Sequence, residues 1–500
     1  MSGKNKLVQM KNAKAILIVA SAVLLSIFLR LEVFTLPIQG KDMWRQSKTA
    51  WNIRYFIRQD ANILNPRQPF LNDGDNIVRY EFPIMQWSIA MVEKITGEHI
   101  LVERIAVYLF SLLTLLAVFK LALLFTEDIL SAALSVWAFT FMPTFFYNAT
   151  SIMPDLLGLC FGMWYTYFFF RHVKSGKTSD LILSGVFIAL AGLTKLPFIL
   201  LGTFSLLRFF ELAFAKHQMR WQQVIRFGAI NALALIPVIA WYRFVIPGWT
   251  DNNITEGIMK SFVGWPLFIE FLKNHIYVNF PMEILNISAL ILLFVGIFYS
   301  LREGKIFFAR NMYFYIPLLV LFIYFFYILN VIREGHEYYF MPFYPVFMLS
   351  IILALHRGLH WKGIGKVVTW VLLIAMPVLC WNREKNYWDP KFAYFNPDFF
   401  ACRDQLSAIG TQSDKAIVIN DESLSIFLYI IDKEGFVFWN NHLPVLWIKD
   451  IIKREHAQYL YSDSRAIEEQ EGFDTCISEI ILECGSIKVF KLKSPDEIQM

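Results

Sequence analysis

Residues 101–123 read LVERIAVYLFSLLTLLAVFKLAL, a run in which Glu103, Arg104 and Lys120 are the charged positions. An α-helix needs about 20 apolar residues to cross a ~30 Å hydrocarbon core, so this run predicts a membrane span. Similar runs recur at 15–35, 129–147, 154–171, 181–195, 197–214, 227–246, 283–301, 312–331, 341–356 and 367–381, which makes about eleven predicted helices in the first 380 positions. Composition agrees: of 500 residues 56% are apolar, 17% aromatic and only 17% charged, where a soluble domain carries about 25% charged residues. Disordered, collagen-like and disulfide-scaffold classes are excluded, and five Cys are too few to staple so long a chain. The first run follows Lys11 and Lys14, but its apolar core is too long for a signal peptide, so an uncleaved span is expected.

Short loops carrying Arg171, Lys174 and Lys177, then Lys216, Arg220 and Arg226, then Arg302, Lys305 and Arg310, then Arg357, Lys362 and Lys366 form one basic set with the N-terminus. The positive-inside rule makes that side cytoplasmic. Segments 37–100, 247–282 and 332–340 and the tail then face the other side, and the expected location is the plasma (inner) membrane. From residue 398 onward there are 10 Lys and Arg against 18 Asp and Glu, net −8, which leaves +13 for the rest. In that tail KAIVIND, FVFW and AQYLYSD predict strands, ESLSIFLYIIDKEG and LPVLWIKDIIKREH predict helices between them, and ISEIILEC with SIKVFKLK predicts a closing hairpin. The expected fold is therefore a polytopic α-helical membrane protein, 1–397, with a small outward-facing α/β domain, 398–500, whose sheet is mostly parallel with right-handed crossovers. Cys476 and Cys484 flank one hairpin strand; pairing and two separate thiols are equally compatible with the sequence.

Two motif fragments fail. SGKTSD at 175–180 ends like a phosphate loop, but Arg171 stands where its first Gly belongs; HEYYF at 336–340 lacks the second His of a zinc helix. What remains is a set of polar residues in the segments assigned to the non-cytoplasmic side. The first loop, GKDMWRQSKTAWNIRYFIRQD, has Asp42, Arg45 and Lys48, and its stretch from Met43 to Arg58 predicts an amphipathic helix lying in the membrane interface. RYEFP supplies Arg79 and Glu81, MPD supplies Asp155, LTKLP supplies Lys195, and REGHEYYF supplies Arg333, His336, Tyr338 and Tyr339. Each has a plain alternative: a solvated acid, an ordinary Pro–Asp helix start, a Lys reaching an interface. Together they match one chemistry, in which a carboxylate deprotonates an attacking hydroxyl while cations hold a departing phosphate.

These segments in this order (an acid with WRQ, then EFP, MPD, LTK and HEYYFMPFYP) resemble the GT-C superfamily of integral membrane glycosyltransferases, most nearly the bacterial protein O-mannosyltransferase and lipid A aminoarabinose transferase type. The resemblance implies an inverting glycosyltransferase that moves a hexosyl or pentosyl group from a polyprenyl-phosphate donor to an acceptor hydroxyl of a glycan, lipid or protein. It implies Asp42 as general base, Asp155 and Glu81 as further site acids, and Arg45, Lys48, Arg79, Lys195, Arg333, His336, Tyr338 and Tyr339 as donor-phosphate or acceptor contacts. A divalent metal ion at Asp42, Glu81 and Asp155 is left open. Where a common bacterial version reads H-x-W-R-Q-x-D-T, Asp42 stands at the His and Lys48 at the Asp, so the base is either Asp42 or an altered site. Partners are the lipid-linked sugar and membrane lipid, with no nucleic acid. A lipid-linked glycan flippase and an envelope scaffold are the rival readings.

Overall fold

The computed structural model describes residues 3–72, 76–214, 221–246, 264–303, 312–332, 336–439 and 443–499. They fall into two compact units: Met1–Thr35 with Tyr80–Met85 and Leu101–Lys385, and Leu36–Arg79 with Gln86–Ile100 and Asn386–Met500. The packing thus draws the division at 385/386, and it gathers most of the loop 37–100 with the C-terminal segment rather than with the membrane helices.

The first unit is helical. Each of the eleven predicted runs contains helix, several extending beyond the expected bounds, such as Ile100–Thr126 and Asp155–Ser175. Seven helices among the described residues are long and apolar enough to cross a membrane, and the pair Trp265–Ile284 and Asn286–Arg302, bent by 105°, makes up to eight. The run 129–147 is interrupted, because Pro143 lacks an N–H and opens a new helix, Pro143–Asn148, after Ile129–Thr140 ends. Ile129–Thr140 and Thr178–Thr194 are apolar but short. Two fully buried arginines tie the interior: Arg30 Nη1 donates to the Phe146 carbonyl (2.5 Å) and Arg104 Nη1 to the Thr150 carbonyl (2.7 Å). Both clamp the turn that leads into Asp155, and neither cation is left unpartnered, as its burial demands.

The second unit carries a five-stranded sheet of β1 (Ala416–Ile419), β2 (Gly435–Phe438), β3 (Tyr459–Ser462), β4 (Ile477–Cys484) and β5 (Ile487–Leu492), in the order β2-β1-β3-β5-β4. β1 pairs in parallel with β2 and β3, while β5 is antiparallel to both β3 and β4. Helix Val445–Glu455 covers one face, burying Ile448 and Ile452 against Ile417, Leu460 and Phe490. The strand readings hold; the expected helix 422–435 is the shorter Ile426–Ile431. The loop completes the sheet edge, with Leu71 N–H donating to Gly435 O and Gly435 N–H to Pro69 O, while the Asn72 amide brackets both backbone groups of Val437.

Two expectations are corrected here. Cys484 pairs with Cys402, 82 residues away, and Cys476 is a free thiol buried in the apolar core beside Phe473 and Phe490. Alternation along β4 could not reveal this, because Cys402 lies before the sheet begins. Helix Met43–Arg58 is not an interfacial helix: Trp51, Ile53, Tyr55 and Phe56 are buried, Ser47 Oγ meets Ser425 Oγ at 3.0 Å, and Arg54 pairs with Asp432 at 2.8 Å. Helical periodicity marks an apolar face without saying whether lipid or a distant part of the chain covers it.

Candidate active site

In the first unit, Asp155 opens helix Asp155–Ser175 after Pro154, where the helix dipole favours a carboxylate. It is 1% exposed, and its charge is met by Lys195, whose Nζ lies 3.3 Å from Asp155 Oδ1. Lys195 reaches that place because the helix Thr178–Thr194 stops there: Lys195 is extended (φ −157°, ψ 113°) and Pro197 starts a 3₁₀ turn, Leu196–Gly202. Gly158, one turn after Asp155, permits the approach, since a Cβ there would lie 2.6 Å from the Phe198 ring.

The same ammonium lies 5.7 Å and 5.4 Å from the ring centroids of Tyr338 and Tyr339, in cation–π range. Tyr338 Oη and His336 Nδ1 are 3.1 Å apart, and His336 holds a left-handed backbone (φ 64°), an uncommon state for a residue with a side chain. Glu81 belongs to this unit, and its neighbour Phe82 donates N–H to Leu193 O (3.0 Å), two residues before Lys195. Trp241 braces that segment, with Nε1 donating to Tyr80 O and its ring edge-on to Phe82. The structure therefore gathers Asp155, Lys195, Tyr338, Tyr339 and His336 and ties the Glu81 segment to the Lys195 break. Tyr324, which carries no sequence signal beyond lying in an apolar run, has a buried hydroxyl within electrostatic reach of Asp155 and Tyr339. Arg333 lies outside the described residues.

In the second unit, Asp42 precedes helix Met43–Arg58 with a left-handed backbone (φ 56°, ψ 21°) and gives no side-chain cap to the helix. A non-glycine residue held there is strained and stays only if its surroundings fix it. They do: Lys41 N–H donates to Tyr387 O (2.8 Å), Gln39 Nε2 to Trp388 O, and Gln46 Nε2 back to Lys41 O. Gly40 makes this possible, because at φ +79° a Cβ would stand 2.2 Å from Tyr387 O. Arg45 is buried and Lys48 half-buried on the helix that follows. Burial, aided by Arg45, pulls the Lys48 ammonium down to about 8, against the opposing pull of Asp421. Asp421 was not singled out in the sequence; it is fully buried, accepts from Ser423 Oγ and N–H and from Phe427 N–H, and has its pKa raised by that burial. Arg79 is engaged in loop structure, donating to Leu64 O (2.8 Å) and Asn65 Oδ1 (2.9 Å).

No group of three or more His, Cys, Asp or Glu able to hold a metal ion exists among the described residues. Asp155, already neutralised by Lys195, is poorly suited to a hard cation, so the residues present do not fit the metal left open at Asp42, Glu81 and Asp155.

Residues 81–242 match the family model of dolichyl-phosphate-mannose-protein mannosyltransferase. Among solved structures, ArnT from Cupriavidus metallidurans is similar in its apo state over 98% of this chain and 99% of its own, at TM-score 0.64 and 12% identity. Its complex with undecaprenyl phosphate is similar over 96% and 98%, at TM-score 0.65 and 12% identity. The archaeal oligosaccharyltransferase AglB from Archaeoglobus fulgidus, with an inhibitory peptide and a dolichol-phosphate, is similar over 91% of this chain and 70% of its own, at TM-score 0.59 and 12% identity. A search of curated protein sequences found no match. At that identity the structural likeness is one of fold, and the fold is that of the GT-C integral membrane glycosyltransferases. The chain thus has the fold of these proteins, and its residues 81–242 are similar to the protein mannosyltransferase family model.

Proposed function

We propose that this protein transfers a hexosyl or pentosyl group from a polyprenyl-phosphate donor to an acceptor hydroxyl, with inversion, on the non-cytoplasmic face of the plasma membrane. The observation that carries the reading is the buried Asp155–Lys195 pair faced by Tyr338 and Tyr339, in a chain that follows a GT-C fold over nearly its whole length. In the proposed reaction the Asp42 carboxylate takes the acceptor's proton and the acceptor oxygen bonds to the anomeric carbon. The bond from that carbon to the phosphate oxygen breaks, and polyprenyl phosphate leaves with the electron pair. Lys195 and His336 are proposed to meet the phosphate's charge, with Arg45, Lys48 and Arg333 as further cations, while Asp155 keeps Lys195 charged and in place. Glu81 is proposed as a further site acid on the segment that Phe82 ties to Leu193, and Arg79 as a contact acting through its loop.

The orientation belongs to the proposal: N-terminus cytoplasmic, second unit outside. The Cys402–Cys484 disulfide supports it, since such bonds persist in oxidising compartments. The acceptor is a glycan, a lipid or a protein. The test is polyprenyl-phosphate-sugar turnover by Asp42→Asn in purified, lipid-reconstituted protein. General-base loss costs about 10²–10⁴-fold, whereas wild-type turnover by that variant removes Asp42 from the chemistry.

A further inference from the structure

Three helices of the first unit meet near their ends on the basic side: Asp155–Ser175, Thr203–Phe214 and Trp221–Ala240. Each touches the other two. Tyr165 Oη and Ser205 Oγ are 2.9 Å apart, a Cβ on Gly228 would stand 3.1 Å from the Phe209 ring, and the His172 and Phe227 rings are 6.0 Å apart. Each helix also brings one basic residue to that end, His172, Arg208 or Arg226, and both guanidiniums lie within electrostatic reach of the imidazole. His172 is buried, and its Nδ1–H donates to Lys177 O (2.8 Å), which ties a fourth basic residue to the same place. The SGKTSD segment, which fails as a nucleotide loop, thus supplies a cation to this cluster.

The carboxylates nearby do not absorb the charge. Asp180 is fully buried and held by Arg171 Nη2 (3.1 Å) and Ser175 Oγ (3.0 Å). Glu211 Oε2 accepts from Arg208 Nη1 (2.9 Å) and from the Tyr313 hydroxyl (2.5 Å), while Arg208 Nε is buried with no hydrogen-bond partner. Lys177 and Arg226 are exposed and form no ion pair among the described residues. Two cations in excess and one unsatisfied guanidinium N–H remain.

Depth decides what can answer them. Arg208 stands six residues before the end of the span Leu196–Phe214, and Arg226 five residues after the start of Trp221–Val245, so both lie ~8–9 Å inside the span ends. Trp221 is 63% exposed at that start, as an aromatic ring at a headgroup boundary is. Cations at this depth must reach outward or find an anion beside them. A bilayer offers one there, the phosphate of its own lipids, and the exposed Phe210 and Ile225 on the same helices give acyl chains an apolar surface. An excess of two positive charges favours a headgroup with net negative charge over one that carries its own ammonium. We propose that Lys177, Arg208 and Arg226, with His172 positioning the Lys177 loop, bind the phosphate headgroup of an anionic phospholipid. The site is independent of the transferase reading.

Native mass spectrometry of the full chain in a polyoxyethylene detergent, with added phosphatidylglycerol, phosphatidylcholine or inorganic phosphate, tests it. The first phosphatidylglycerol should bind about tenfold tighter than the first phosphatidylcholine. Arg226→Gln, at an exposed position, should weaken that first lipid about tenfold, the effect of one charge-assisted hydrogen bond, and Lys177→Gln should act in the same direction. Lys362→Gln makes the same charge change on another basic loop and should leave the affinity as it is. Equal binding of the two lipids, or wild-type affinity in the Arg226→Gln protein, overturns the proposal. So does an equal loss in Lys362→Gln, which would mean diffuse surface charge, or displacement of the lipid by inorganic phosphate, which would mean a site for a soluble anion.

Discussion

Replacing Lys195 by Met removes one member of a buried ion pair and leaves the other in place. Breaking such a pair from one side costs about 3–5 kcal/mol, because the remaining charge stays desolvated and loses its nearest counter-charge. Asp155 is 1% exposed, so little of that is relieved by water, but it stands at a helix start, where the dipole returns ~0.3–1 kcal/mol. The expected loss for Lys195→Met is therefore about 3 kcal/mol. Asp155→Asn is milder, about 1–2 kcal/mol, because the Lys195 side chain keeps 13% exposure and two tyrosine faces to stabilise its charge. The decisive species is the double variant. With both charges gone the buried carboxylate no longer has to be held without Lys195, so it should be more stable than Lys195→Met alone, with a coupling of about 1–3 kcal/mol. Thermal unfolding of the four proteins in identical nanodiscs measures this. A double variant less stable than Lys195→Met would show that the two residues act independently and that the 3.3 Å contact does not govern the site.

Three further outcomes are expected. Cys402→Ser should release a chain constraint spanning 82 residues, worth about 4.5 kcal/mol by loop-closure entropy, and loosen the second unit to limited proteolysis; peptide mapping that found Cys476 joined to Cys484 would refute the pairing. Lys48, held at about 8 by burial and by Arg45, should react with an amine-selective reagent in a transition near that pH, while ordinary lysines follow near ~10.4. Because its folded pKa is the lower one, the unfolded chain binds more protons between those values and stability should rise with pH across them; a flat or falling profile there that Lys48→Met leaves unchanged would count against it. Gly40→Ala places a Cβ against Tyr387 O at a positive φ and should cost about 1–3 kcal/mol, together with turnover if Asp42 is the base; full stability in that variant would mean the Asp42 turn is not fixed as described.

The membrane class was legible because apolar length is a one-dimensional property, and the runs around 100–126 and 364–384 could be read directly. So were β1, β2 and β3, whose short β-branched and aromatic runs are bounded by helices and turns. Three things were hidden, each because it depends on residues far apart in the chain. The Cys402–Cys484 bond joins a segment before the sheet to its edge strand. The cover over helix Met43–Arg58 comes from residues near 425–432. A small cavity beside Arg58 and Asp432 in the second unit draws its walls from positions 51–59 and 412–434, neither of which carries a motif.

Four of the polar residues that did carry a signal share a local feature: each sits where a helix is made to start or stop. Asp155 follows Pro154, Lys195 precedes the Leu196–Pro197 break, His336 takes a left-handed turn before a 3₁₀ segment, and Asp42 takes one before Met43. Apolar positions inside a span can exchange Leu, Phe, Ile or Val with little change in transfer energy, so a helix interior need preserve only its length and hydrophobicity. A break cannot drift so freely, since it must satisfy exposed backbone groups and hold a charge at a set depth. This accounts for a chain that shares 12% identity with ArnT while following its fold over 98% of its length. Substitutions confined to apolar positions between breaks, conserving volume, should accordingly leave the Asp155–Lys195 geometry intact, whereas Pro197→Ala, which lets helix Thr178–Thr194 continue through Lys195, should displace the ammonium and lower turnover without removing a single charged group.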